Sequence, residues 1–306
     1  MNSKNQLQIN GVLLLNKTKG ISSNKALQIV KRIYQASKAG HTGTLDPLAT
    51  GLLPICFGEA TKFASMLLEG KKEYIATIQL GQATTTYDAE GEITFTSDVT
   101  VKLAQIQQAL LQFQGEIEQR PPIYSALKVN GKRLYQYAQQ QQPVEIKTRK
   151  IIIYAIDLIE YNTLTQQIKL QVLCSKGTYI RSLAHDIGKV LDCGGYLANL
   201  IRTQTLGFSL QENITIDNLT QLNKQQLQQL LLPLDCLVQH LPKYEISATD
   251  YLKVKNGHAF TVAPENNLAL STPIRLYYNH TFLGIGQYNP CEYLLQPKRL
   301  ISQVLN

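Results

Sequence analysis

The chain has 306 residues, 44% of them hydrophobic, and a formal net charge of +8. A hydrophobic fraction of that size belongs to a globular protein rather than a disordered one, and no apolar run reaches the length that spans a bilayer as a helix. Five scattered cysteines with no C-x-x-C pair, and five histidines with no H-x-x-x-H or H-E-x-x-H spacing, argue against a disulfide framework and against a metal site.

The polar opening Met1 to Asn10 lacks the apolar core of a signal peptide, so the expected location is the cytoplasm. Gly11 to Leu15 predicts a short buried strand. Ser22 or Ser23 can cap the helix that follows, in which Ala26, Leu27, Val30 and Ile33 share one face. That helix runs into Gly40-His41-Thr42-Gly43-Thr44-Leu45-Asp46-Pro47-Leu48-Ala49-Thr50-Gly51. Its glycines open backbone conformations closed to other residues, and Pro47 bars Asp46 from the helical region. Asp46 is therefore expected on a shaped loop anchored by Leu45 and Leu48. Asp-Pro among glycines is ordinary turn chemistry; the alternative is a carboxylate held in place for work.

A second helix is expected over 55–70, with Ala60, Phe63, Ala64 and Leu67 on one side. Glu73 to Leu80 reads as a strand with Tyr74, Ala76, Ile78 and Leu80 on one face. A Thr-rich connection over 81–91 carries Asp88 and Glu90, and Thr100 is expected to cap a helix running to Phe113. Asn130-Gly131 signals a hairpin, followed by a helical stretch over 134–140. The basic cluster Lys147-Thr148-Arg149-Lys150 opens a strand over 151–159, with 168–175 as its antiparallel partner. Lys176 to Leu183 turns strand into helix, with Ile180, Leu183, Ala184 and Ile187 toward the core and Arg181 off that face. A cation in a first helical turn opposes the helix dipole, which hints at a local anionic partner. Residues 196–210 look strand-like around Arg202, and 217–232 helical with Asp217 as cap. Beyond the Leu241-Pro242 boundary the pieces are short and β-like.

No G-x-G-x-x-G follows a strand and no Walker-type loop occurs, so no nucleotide cofactor is indicated. Basic residues interleaved with aromatics suit an RNA binder. A lone carboxylate without a paired acid suits covalent nucleophilic catalysis better than hydrolysis. For Tyr74 and Tyr179 the residue-level alternative is a core tyrosine with its hydroxyl satisfied.

Six stretches together resemble the bacterial tRNA pseudouridine synthases of the TruB type, which isomerise uridine 55 in the T loop. They are Gly11-Val-Leu-Leu-Leu-Asn-Lys17, the Gly40–Gly51 loop, Gly58-Glu-Ala-Thr-Lys-Phe63, Tyr74 with Leu80-Gly81, Tyr124-Ser-Ala-Leu-Lys128 and Cys174-Ser-Lys-Gly-Thr-Tyr-Ile-Arg181. The resemblance covers nearly the whole chain. It implies an α+β fold: a mixed, largely antiparallel central sheet with flanking helices over 1–242, then a small β-rich PUA-like RNA-binding domain over 243–306. It implies Asp46 as nucleophile, Arg181 as its ion-pair partner and Tyr74 against the target base. Tyr179 and Leu200 would line the pocket, and His41 would help hold the flipped RNA loop. Lys17 and Lys62 would be phosphate or structural contacts. The implied partner is the T-arm stem-loop of tRNA, met by a monomer with no cofactor, metal or membrane. A tRNA-folding chaperone, with catalysis secondary, is the alternative. Asn16-Lys17-Thr18 replaces the usual Asp-Lys-Pro, and Asp88-Ala89-Glu90 the usual Asp-x-Asp.

Overall fold

Alternation rules the strand Lys72–Leu80: Tyr74, Ala76, Ile78 and Leu80 are buried and the residues between them are half-buried. Gly11–Lys17 follows a different pattern, buried at every position but Asn16. Leu13 and Leu15 enter one hydrophobic cluster, with Ala26 and Val30. Val12 and Leu14 enter another, with Phe63 and Phe282. A strand covered on both faces needs a continuous apolar run, which explains Val-Leu-Leu-Leu.

The computed structural model describes residues 7–67, 70–205, 207–262 and 273–302. The first six residues of the polar opening, the Leu67 side chain of the expected second helix and Leu206 of the expected strand over 196–210 lie outside that description. In chain order the first strands are β1 (Gly11–Lys17), β2 (Ala39–His41), β3 (Thr50–Phe57), β4 (Lys72–Leu80), β5 (Gln82–Thr84), β6 (Ile93–Thr96), β7 (Gly115–Gln119), β8 (Lys128–Val129) and β9 (Lys132–Arg133). Then come β10 (Arg149–Asn162), β11 (Gln167–Cys174), β12 (Gly195–Thr205), β13 (Phe208–Ser209) and β14 (Ile214–Thr215). The helices are α1 (Ser23–Ile33), α2 (Ala64–Leu67), α3 (Leu103–Leu111), α4 (Leu134–Gln139), α5 (Ile180–Val190), α6 (Ile216–Thr220), α7 (Lys224–Gln229) and α8 (Ala248–Lys255).

Among the described residues the central sheet has ten strands, eight of them in the order β14-β1-β3-β12-β4-β11-β10-β7, with β2 beside β3 and β13 beside β12. Within this sheet, among the described residues, only β1–β14 and β3–β12 pair in parallel, so the fold is α+β with a mixed, largely antiparallel central sheet. β15 (Lys243–Glu245), β16 (Phe260–Thr261), β17 (Pro273–Tyr278), β18 (Thr281–Asn289) and β19 (Leu294–Leu300) form a second sheet in the order β15-β17-β18-β19-β16. This C-terminal sheet packs its apolar face onto the side of β1 and β3 that α1 does not cover, sharing Val12, Leu14, Leu52, Cys56 and Phe63 with its own Ile274, Leu276 and Leu295. Phe63 meets Phe282 edge-on, with centroids 5.4 Å apart. No helix among the described residues is long and apolar enough to cross a membrane.

Three expected elements differ. Ile55, Cys56 and Phe57 do not open a helix; they end β3, which pairs with β1 from Gly11 opposite Phe57 to Lys17 opposite Gly51. A single 3-10 stretch over Gly58–Lys62 and the short α2 follow. The helix expected from Thr100 begins at Leu103, because the Lys102 N–H is taken by Gln105 at 2.8 Å. The helix expected over 217–232 splits into α6 and α7: Thr215 caps the first, and Asn223 caps the second by accepting the Gln226 N–H.

Candidate active site

Asp46 lies in the loop joining β2 to β3, and several separate segments hold that loop. Ser22 caps α1 by accepting the Lys25 N–H, which leaves Ser23 to face inward. The Ser23 hydroxyl donates to the Leu45 carbonyl at 2.8 Å and accepts the Leu45 N–H at 2.7 Å. The Gly20 N–H donates to the Pro47 carbonyl at 2.8 Å, and the Thr42 N–H to that of Pro54 at 3.1 Å. Ala49 closes the turn by donating to the Asp46 carbonyl at 3.1 Å.

Lys17 belongs to this support. It is fully buried, and its Nζ donates to the carbonyls of Thr18 at 2.9 Å, Ile21 at 2.8 Å and Pro47 at 3.4 Å. Burial pushes its ammonium down to about 8, opposed by Asp46 and Glu90. Of the two roles expected for Lys17, phosphate contact does not fit an ammonium enclosed by three carbonyls; the structural role does.

Opposite the loop stands Arg181, in the first turn of α5 and buried rather than exposed. Its Nε lies 2.9 Å from Asp46 Oδ2, an ion pair by distance whose N–H does not point along the contact. Its Nη1 lies 3.4 Å from Asp88 Oδ2 and 3.4 Å from the Thr86 carbonyl, while Nη2 donates to the Tyr124 carbonyl at 3.0 Å. One guanidinium thus faces two carboxylates. Asp88 is enclosed, with its Oδ1 accepting from the Thr86 hydroxyl and the Glu90 N–H. Asp46 is walled by protein yet open to a cleft, with 40% of its side chain exposed. Burial raises the Asp46 carboxyl above its ordinary value; Arg181 opposes that rise and Asp88 adds to it.

The cleft has a volume of about 630 Å³ and brings together Asp46, Tyr74, Tyr179, Leu200 and Arg181, along with Tyr124, Tyr135, Lys72, Lys176 and Arg202. Tyr179 is set by Gln119, whose side-chain amide accepts the Tyr179 N–H at 2.8 Å and donates to its carbonyl at 3.0 Å. Tyr74 is buried on β4, directly opposite Arg202 on β12. Two expected site residues lie elsewhere besides Lys17. His41 is on β2 opposite Ile55, with its buried Nδ1 unpartnered and its imidazole pKa lowered first by burial and then by Arg202. Lys62 pairs with Glu59 at 2.8 Å and donates to the Leu300 carbonyl at 2.9 Å and the Ser302 hydroxyl at 3.1 Å, so it fastens the C-terminal sheet. Sequence reasoning gave no role to Asp88 or Arg202. The signal for Arg202 was a charged residue two places after Leu200 on one strand, and therefore on the same face.

Residues 31–180 match the model of the TruB family pseudouridylate synthase N-terminal domain, and residues 181–239 that of the tRNA pseudouridylate synthase B C-terminal domain. The chain is 46% identical over 297 residues to a tRNA pseudouridine synthase B of Neisseria meningitidis serogroup B, covering 96% of this chain and 95% of that one. The chain belongs to the TruB family of pseudouridylate synthases. A second relative in that family, the tRNA pseudouridine synthase B of Francisella philomiragia, is 44% identical over 290 residues, covering 94% of this chain and 93% of its own. The TruB-type fold extends to a crystal structure of a Cbf5-Nop10-Gar1 complex, matched with a TM-score of 0.68 and 26% identity over 97% of this chain and 80% of that one.

Proposed function

We propose that the chain, a tRNA pseudouridine synthase and hence an isomerase, converts uridine 55 of the tRNA T loop to pseudouridine, with Asp46 as the nucleophile on a flipped-out base. The observation that carries this reading is the open Asp46 carboxylate, 2.9 Å from the Arg181 Nε, in a cleft that Tyr74, Tyr179 and Leu200 also line. The reaction breaks the N1–C1′ bond, forms C5–C1′ and moves the C5 hydrogen to solvent while N1 gains a proton, so atoms balance without a second substrate. Asp46 must be ionised to attack either C6 of the base or C1′ of the sugar. Burial alone would favour the neutral acid, and the Arg181 guanidinium counters it.

The base must leave its stack to reach the cleft, at a cost of a few kcal/mol. Tyr74 would pack against it, with Tyr179 and Leu200 completing the walls. In this reading residues 1–242 perform catalysis and residues 243–306 form a PUA-like unit that adds RNA contacts, in a monomer. Cations lie over tyrosine rings, Lys71 over Tyr154, Lys132 over Tyr137 and Arg133 over Tyr135, the last of which lines the cleft, and this pairing fits contact with phosphate and unpaired bases. That basic, aromatic surface equally suits a tRNA-folding chaperone.

The test is tritium release from a T-arm stem-loop labelled at C5 of the target uridine. Asp46→Asn is expected to abolish release while binding the stem-loop normally; undiminished release would falsify the nucleophile. Complementing a deletion strain with the same variant separates the roles, since rescue of the phenotype by an inactive binder would assign the cellular role to folding.

A further inference from the structure

Among the described residues the largest fully buried side chain is that of Arg202, a charged group in the middle of the central sheet. Such burial is costly unless the charge is matched by hydrogen bonds. Its partners here are backbone carbonyls, and their location is informative. Nε donates to the Leu52 carbonyl at 2.7 Å, and Nη2 to the Gly43 carbonyl at 3.2 Å. Gly43 lies three residues before Asp46 and Leu52 six after it, so one guanidinium ties together both limbs of the loop. The backbone of Arg202 joins the same loop, pairing in parallel with Gly51, where a Cβ would drive into the Arg202 main chain. On its other side Arg202 is the direct cross-strand partner of Tyr74, close enough for the side chains to interact. Its remaining Nη1 is buried without an aligned partner.

We infer that Arg202 is a positioning residue for the isomerisation, a single buried mount that fixes the Asp46 loop and the Tyr74 ring relative to each other. The inference rests on the Asp46 and Tyr74 roles proposed above. β12 lies between β3 and β4, so no backbone pairing joins the nucleophile loop to Tyr74 directly. The Arg202 side chain spans that gap. A displacement of about 1 Å between reacting groups lowers rates by on the order of 10²-fold, and this contact sets their separation.

The test compares Arg202→Lys and Arg202→Met with the parent by single-turnover tritium release, T-arm affinity and thermal unfolding, each also in a Tyr74→Phe background. Lysine keeps the charge but cannot reach two carbonyls as a planar fork. The expected result is a rate lower by ten to a hundredfold, with T-arm affinity retained, and a much smaller further loss once Tyr74 is Phe. A folded variant with the parent rate overturns the inference. So does a rate loss that tracks lost RNA affinity, or one that simply adds to that of Tyr74→Phe. Failure of both variants to fold would make Arg202 a core residue only, and also overturns it. The Asp46→Asn control keeps the two readings apart: if that variant stays active the nucleophile assignment fails, whereas an inert Asp46→Asn beside a fully active Arg202→Met defeats only the positioning role.

Discussion

Asp88→Asn is the sharpest probe of the shared guanidinium. The amide keeps an oxygen for the Thr86 hydroxyl and the Glu90 N–H, so the turn survives while the charge goes. At the 3.4 Å separation from Arg181, the gross attraction removed is about 5 kcal/mol at an effective dielectric of about 20. Desolvation of both ions offsets part of this, and removing one partner of a buried pair costs roughly 3–5 kcal/mol. Arg181 retains Asp46 and two carbonyls, so the expected loss of unfolding free energy is about 3 kcal/mol, the lower end of that range. Freed on its far side, the guanidinium moves relative to Asp46, and the single-turnover rate falls about ten to a hundredfold. The pH profile moves too. The Asp88 charge adds to the rise of the Asp46 carboxyl, so removing it lowers that pKa. With Asp46 as the proposed nucleophile, activity needs its ionised carboxylate, so the acid limb is expected to shift to lower pH. Urea unfolding and tritium release across the acid range measure all three effects. An acid limb that stays in place or climbs, or a variant as stable and as fast as the parent, refutes the reasoning.

Phe63→Ala removes a fully buried ring between the two sheets and is expected to cost about 3–5 kcal/mol in urea unfolding, with one cooperative transition because both halves share that core. Of the five cysteines, Cys291 alone is exposed, and burial pushes Cys56 and Cys236 up to about 12 and Cys174 to about 11. A thiol reagent should therefore modify one cysteine in the native protein and five after denaturation, and Cys291→Ser should remove the native reaction.

Where a pattern is local, the sequence carries it. The alternation of Tyr74, Ala76, Ile78 and Leu80 is the burial pattern of β4, and Asn130-Gly131 turns between β8 and β9 with both residues at positive φ. The odd placement of Arg181 against the helix dipole pointed to an anion, and two carboxylates lie beside it. Where the structure depends on distant partners, residue patterns fall short. Ile55 to Phe57 is a short apolar run that fits a helix or a strand, and its pairing with β1, some forty residues earlier in the chain, and with β2 makes it strand. Lys17 reads as a surface cation, since nothing near it in sequence reveals that the Pro47 carbonyl will enclose it. The positions of Gly43 and Leu52 around Arg202 span about 150 residues and have no local trace.

The place of β12 also governs how the molecule comes into being. β3 and β4 are complete by Leu80, yet the strand that separates them begins only at Gly195. A growing chain therefore carries Asp46 early, beside two raw strand edges where β12 belongs. Pairings so far apart in sequence form slowly, and open edges invite neighbouring chains to add themselves. Asp46 is thus synthesised long before its setting exists. A chain that stops short of β12 lacks the Arg202 contacts to the Asp46 loop and keeps both adhesive edges, so one strand, Gly195–Thr205, removes the hazard and supplies the mount together.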